Sequence, residues 1–115
     1  GQIAAVLARE WDADLALLYG ELHPNDPLAQ LATVEQWLQQ HGDRPELLQV
    51  AGRVCLANKL WGKARSYLEA ALNTAPTPQT CLELARLCQE TRQPEEAARW
   101  YRQGLELAVG AVSPR

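Results

Sequence analysis

Apolar positions along this chain fall into blocks with helical spacing, separated by short runs of turn residues. Leu28, Leu31, Val34 and Leu38, with Trp37 beside them, recur at intervals of three and four and predict a helix over Leu28–Gln40. His41-Gly42-Asp43-Arg44 ends it, with Gly42 suited to the left-handed residue that closes a helix. Four further helices are expected: Pro45–Ala57, Trp61–Thr74, Pro78–Glu90 and Pro94–Val109. Thr77 stands where it can cap the helix that follows it, and Glu95 and Glu96 place negative charge in the first turn of the last one, where the helix dipole favours it. Nearer the start, Ile3, Val6 and Leu7 put one apolar face on a short helix over Gln2–Arg9. Trp11-Asp12-Ala13-Asp14 reads as a break. Leu15–Leu22 is dense in apolar residues without one clean period, so a short buried helix is expected, with a strand as the alternative. His23-Pro24-Asn25-Asp26-Pro27 is a turn, and Asp26 before Pro27 is a helix start.

The blocks repeat. Pro45, Arg53, Cys55, Ala64 and Leu72 recur as Pro78, Arg86, Cys88, Ala97 and Leu105, a constant displacement of 33 positions. A fixed period of this size is the mark of stacked supersecondary units. Within a unit, small residues stand where two antiparallel helices must cross: Gly52, Ala64 and Ala71, then Ala85, Ala97 and Gly104. Larger residues (Leu48, Leu68 and Leu72, then Leu84, Tyr101 and Leu105) are expected to fill the space between layers. No single pair buries enough apolar surface alone, so pairs stack. Ala64→Leu or Ala97→Leu should overpack a crossing and lower stability by about 1–3 kcal/mol in chemical denaturation.

Leu48-x2-Ala51-Gly52-x2-Cys55, then Ala64-x3-Leu68-x2-Ala71 and Pro76, resembles a tetratricopeptide repeat (TPR), whose pattern is W-x2-L-G-x2-Y, A-x3-F, P over about 34 residues. Cys81, Cys88 and Ala85 depart from the pattern in the second copy, and no proline closes it. The resemblance implies an all-α fold of antiparallel helix pairs stacked in a right-handed superhelix, an α-solenoid. Residues 1–44 would form an N-terminal helical section with a degenerate repeat, 45–77 and 78–110 two repeats, and 111–115 a frayed tail. A narrower resemblance runs through Asn25–Gln40, Gly42–Leu47, Pro94–Ala98 and Gly104-Leu105. These segments are similar to the C-terminal region of the HemY family of TPR-containing inner-membrane proteins associated with haem biosynthesis. That resemblance implies a membrane anchor outside this chain, a soluble TPR part on the cytoplasmic face, and a place near the late porphyrin pathway. It does not imply protoporphyrinogen oxidase activity, since no G-x-G-x-x-G fingerprint is present to hold a flavin.

Charge and composition narrow the classes. The chain has 115 residues and a formal net charge of −3, without a basic cluster, which argues against nucleic acid as a partner. It begins at Gly1 and contains no Met, so it is expected to be a piece of a longer protein. Cys55, Cys81 and Cys88 form no C-x-x-C and read as small buried hydrophobes, in keeping with a reducing compartment. His23 and His41 have no second ligand at metal spacing, and no nucleophile–base pairing is suggested by position, so no metal, cofactor or catalytic residue is assigned.

Stacked helix pairs present the first helix of each pair along a concave groove. Its expected partner-binding residues are Gln49, Arg53, Leu56, Leu82, Arg86 and Gln89, with Ala57, Glu83 and Glu90 also facing it. Arg53 and Arg86 are equivalent and could grip an acidic peptide. The competing expectation, which is favoured, is that Arg86 pairs with Glu83 and Glu90 along its own helix while Arg53 is solvated. Trp61, which opens a helix after a turn, is the tryptophan expected to be partly exposed. The expected function is a non-catalytic protein-interaction scaffold that binds a protein or peptide partner, with haem-pathway enzymes as the class the resemblance suggests. Haem or porphyrin binding in the groove is the alternative, and a homo-oligomer is left open.

Overall fold

The structure, a computed structural model, describes residues 27–112. The readings at Gln2–Arg9, Trp11–Asp14, Leu15–Leu22 and the turn at His23–Asp26 lie outside the described residues. Five helices follow: α1 (Pro27–His41), α2 (Pro45–Ala57), α3 (Trp61–Thr74), α4 (Pro78–Glu90) and α5 (Pro94–Val112). The boundaries of α2, α3 and α4 are those the turn residues dictate. Pro27, Pro45, Pro78 and Pro94 each occupy a first helical position, where the missing N–H would have had no partner. Gly42 takes φ +81° and its N–H donates to the Leu38 carbonyl at 2.9 Å, closing α1. The Thr77 hydroxyl accepts from the Thr80 N–H at 3.2 Å and caps α4. Helix α5 runs three residues beyond the expected Val109. The helix continues through Gly110, and no proline lies between Pro94 and Pro114 to break it.

α2 packs along α3, and α4 along α5, more extensively than any other pair, while α1 lies against α2 and α3 against α4. This is an all-α helical-repeat solenoid of stacked antiparallel pairs. Ala64, Ala71, Ala85 and Ala97 are all buried at the crossings. The glycines explain how near the backbones come. A Cβ on Gly52 would lie 2.6 Å from Cγ and Cδ2 of Leu68, and one on Gly104 would lie 3.0 Å from the Cβ of Cys81. The core runs continuously from Leu31, Val34 and Trp37 of α1 through Leu47, Val50 and Val54 of α2 to Leu87 and Ala97. A second cluster of Leu68, Leu72, Cys81 and Leu84 fills the layer between α3 and α4.

One expectation fails at the end of the stack. Tyr101 and Leu105 occupy the positions of Leu68 and Leu72 one repeat later, but they do not fill an interlayer space. Leu68 and Leu72 are 0% and 8% exposed, whereas Tyr101 and Leu105 are 38% and 66% exposed. The residues match the repeat pattern; among the described residues no further helix follows α5 to cover them.

The tight turns between paired helices also repeat. Lys59 and Arg92, one period apart, both take φ 59°. This left-handed conformation costs an L-residue about 1–2 kcal/mol that glycine escapes. Arg92→Gly should therefore raise stability by about 1 kcal/mol in urea titration, a gain reduced by the greater freedom of glycine in the unfolded chain.

Candidate functional site: the groove between α2 and α4

The first helices of the two complete pairs line an open groove of about 790 Å³, completed by the turn and first residue of α3. Of the six expected partner-binding residues, Arg53, Leu56, Arg86 and Gln89 line it. Gln49 is half-buried and does not border it. Leu82 faces elsewhere, into a smaller apolar hollow with Trp100, Tyr101 and Leu105. Ala57, Glu83 and Glu90 also reach the groove, as their spacing along the helices requires. Lys59, Trp61 and Gln79 complete the wall. Lys59 lies in the α2–α3 turn, where no helical spacing assigns it to a face, so the sequence carried no signal for it.

Glu83 organises the floor. It is 2% exposed, and one carboxylate oxygen, Oε1, accepts from Nε of Arg53 across the layer boundary. The expected pairing of Glu83 with Arg86 along α4, and a merely solvated Arg53, are both corrected by this geometry. Three residues apart on one helix is near enough for an ion pair at the surface. Glu83 instead points into the interface, where α2 supplies the cation. Arg86 remains exposed and without an ion pair among the described residues, although its charge acts on Glu83 through space. Burial pushes the Glu83 carboxyl above its ordinary value, against the opposing pull of Arg53. Its second oxygen, Oε2, is buried beside Gln79 without a hydrogen bond of good geometry. An Arg53→Glu change would set a second carboxylate against this one, so it would report on folding rather than recognition.

Gln89 is held by a bond from the Tyr101 hydroxyl to its Oε1 at 2.8 Å. Behind the groove, polar residues stitch layers together. Arg65 donates to Glu96 at 2.8 Å and to Glu69 at 3.3 Å, and Trp100 Nε1 donates to Glu96 at 3.3 Å. The Arg65 bond is the main reason that the Glu96 carboxyl lies below its usual range. The Tyr67 hydroxyl donates to Glu35 and ties α3 to α1, and burial together with that carboxylate holds its proton firmly. Cys55, Cys81 and Cys88 are free thiols buried in the core. Burial pushes the Cys55 thiol up to about 11 and raises the other two, so none is poised as a thiolate. Among the described residues no group of three His, Cys, Asp or Glu side chains is arranged to hold a metal ion, and no helix is long and apolar enough to cross a membrane.

The repeat fold and its groove can now be set beside known proteins. Over 109 residues, 95% of this chain, the sequence is 31% identical to Protein HemY of Escherichia coli strain K12. The chain is similar to HemY along nearly its whole length. Protein HemY of Shigella flexneri matches to the same extent. The chain spans only 27% of the length of these HemY proteins, so the likeness is to one part of them. No protein-family model matches the chain. The likeness to HemY accompanies an all-helical, TPR-like architecture, in agreement with the segments Asn25–Gln40 and Pro94–Ala98 that carry the sequence resemblance.

Proposed function

We propose that this chain is a non-catalytic interaction scaffold, a TPR-like part of a membrane-anchored protein associated with haem or porphyrin biosynthesis, which holds a partner protein in the groove between α2 and α4. The observation that carries this reading is the groove itself. It is open, and its lining includes the exposed side chains of Ala57, Lys59, Arg86, Gln89 and Glu90, while the core that fixes the fold is buried. The likeness to HemY supports the association with the haem pathway. Affinity capture from a membrane extract with the chain and with its Lys59→Glu/Arg86→Glu variant tests the reading. Loss of a defined set of proteins from the variant is expected; identical captured sets overturn the groove as the contact surface.

A second reading is favoured by one feature: Trp61 shares the groove with the exposed cations Lys59 and Arg86, a combination that suits a flat, dicarboxylate porphyrin. Titration with haem, followed by Soret absorbance, should show no saturable shift if the scaffold reading holds. A saturable shift lost in Trp61→Ala would replace it.

A further inference from the structure

Three of the four large hydrophobic side chains that stand exposed among the described residues lie on one stripe of α5: Tyr101, Leu105 and Val109, with Ala98 a turn before them. Their spacing of three or four residues puts them on a single helical face. A soluble monomer seldom leaves such a face open. On its α4 side the stripe continues over Leu82 and Pro78, around an apolar hollow of about 120 Å³. On its other side stand Arg102 and Glu106, both exposed and one turn apart, and no ion pair among the described residues uses either. One repeat earlier the equivalent residues Leu68 and Leu72 are covered by α4, which follows α3 through a short turn and runs back along it. The stripe on α5 is thus shaped for a helix running in the opposite direction.

We propose that this helix is α5 of a second copy of the chain, packed antiparallel across a two-fold axis near Leu105. A symmetric contact of this kind sets one surface against itself. With the axis at Leu105, Tyr101 of each copy lies opposite Val109 of the other. Antiparallel packing also brings the two charged flanks to the same side. Arg102 then stands about 3 Å, measured along the helix, from Glu106 of the second copy, because two residues of helical rise separate them. The pair forms twice. Parallel packing would instead turn each charged flank towards the α4 side of the other copy and lose both pairs. The apolar hollow beside Leu82 gives Leu105 of the second copy a place to enter. Helix α5 has 19 residues and is about 28 Å long, so one such face with Leu82 buries less than the roughly 800 Å² per partner of a standard interface. The association is accordingly in the micromolar range.

Sedimentation velocity of the 115-residue chain over a concentration series from ~1 to ~300 µM tests this, and the chain should pass from monomer to dimer across it. Leu105→Glu and Val109→Glu should each weaken the association at least tenfold. Leu28→Glu, which changes the fourth exposed hydrophobic, on α1 at the other end of the stack, should leave it unchanged. Arg102→Glu alone and Glu106→Arg alone should each weaken it at least threefold, and an equimolar mixture of those two variants should regain it. Circular dichroism confirms that every variant stays helical. A chain that remains monomeric throughout the series, a dimer unmoved by Leu105→Glu and Val109→Glu, or a mixture that associates no better than its components overturns the proposal. So does a monomeric chain that captures a different protein through Leu105, which would give this face to another occupant. None of these outcomes bears on the groove, whose own test uses Lys59 and Arg86.

Discussion

Arg53→Leu is expected to lower stability by about 3 kcal/mol at pH 8 and by much less at pH 4, as read from urea unfolding monitored by helicity. Removing one partner of a buried ion pair leaves the other charge uncompensated, which typically costs about 3–5 kcal/mol. Glu83 has an escape, because it can bind a proton. Protonating a carboxyl with an ordinary value of about 4.3 at pH 7 costs about 3.7 kcal/mol, which caps the penalty at that pH. The direction with pH follows. Glu83 is already raised by burial, and without Arg53 it rises further. A folded-state value above the unfolded one means that stability is fully present below about pH 4.3 and is lost as pH climbs through the raised value. The deficit of the variant should therefore open between the raised value of the intact protein and the still higher value of the variant, and then level off. Arg53→Leu/Glu83→Leu should recover most of the loss at pH 8, because a well-packed apolar pair often replaces a buried ion pair without penalty. A deficit equal at pH 4 and pH 8 would show that Arg53 contributes packing rather than charge. Glu96 acts in the opposite sense. Its carboxyl is held below the ordinary value by Arg65, so its contribution is present above about pH 4.3 and disappears as pH falls through the depressed value.

Leu68→Ala should cost about 2–5 kcal/mol, the range for truncating a buried leucine, since Leu68 is wholly enclosed between α2, α3 and α4. The informative experiment joins this change to Gly52. Gly52→Ala alone drives a methyl to within 2.6 Å of the Leu68 side chain. That side chain has no room to retreat, with Leu72, Cys81 and Leu84 around it. Overpacking by about 1–3 kcal/mol should exceed the gain of about 1 kcal/mol from replacing a helical glycine by alanine. In the Leu68→Ala background the obstruction is gone, the added methyl occupies part of the cavity, and Gly52→Ala should become stabilising. A double-mutant cycle measured by thermal or urea unfolding should show this reversal of sign. Additive effects would mean that Gly52 is not the point of closest approach.

These two cases also show which parts were legible from residue order. Helix ends were, because their signals are local: a proline opening α1, α2, α4 and α5, Thr77 before α4, and Gly42 after α1. The crossing residues were legible too, since the period brings Gly52, Ala64 and Ala97 forward as small residues at constrained places. The Arg53–Glu83 pair was not. Spacing along one helix made Glu83 and Arg86 the obvious partners, and only the juxtaposition of α2 with α4 turns Glu83 towards Arg53. Lys59 escaped notice as a groove residue because turn residues carry no helical face. Tyr101 and Leu105 were misplaced for a related reason: a repeat pattern says what a position is built to cover, not whether a neighbour is there to be covered.

By itself the sequence determined the helix pairs, their period of 33 residues and the small residues at their crossings. These follow from backbone preferences and side-chain size, which act within a turn or a repeat. Only the tertiary structure decided which charges are spent inside the fold and which remain on the groove wall. Burial and cross-layer distance determine whether a carboxylate finds a cation, and both depend on how neighbouring layers sit against each other. That distinction separates Arg53, which holds the floor of the groove together, from Lys59 and Arg86, which remain exposed on its wall.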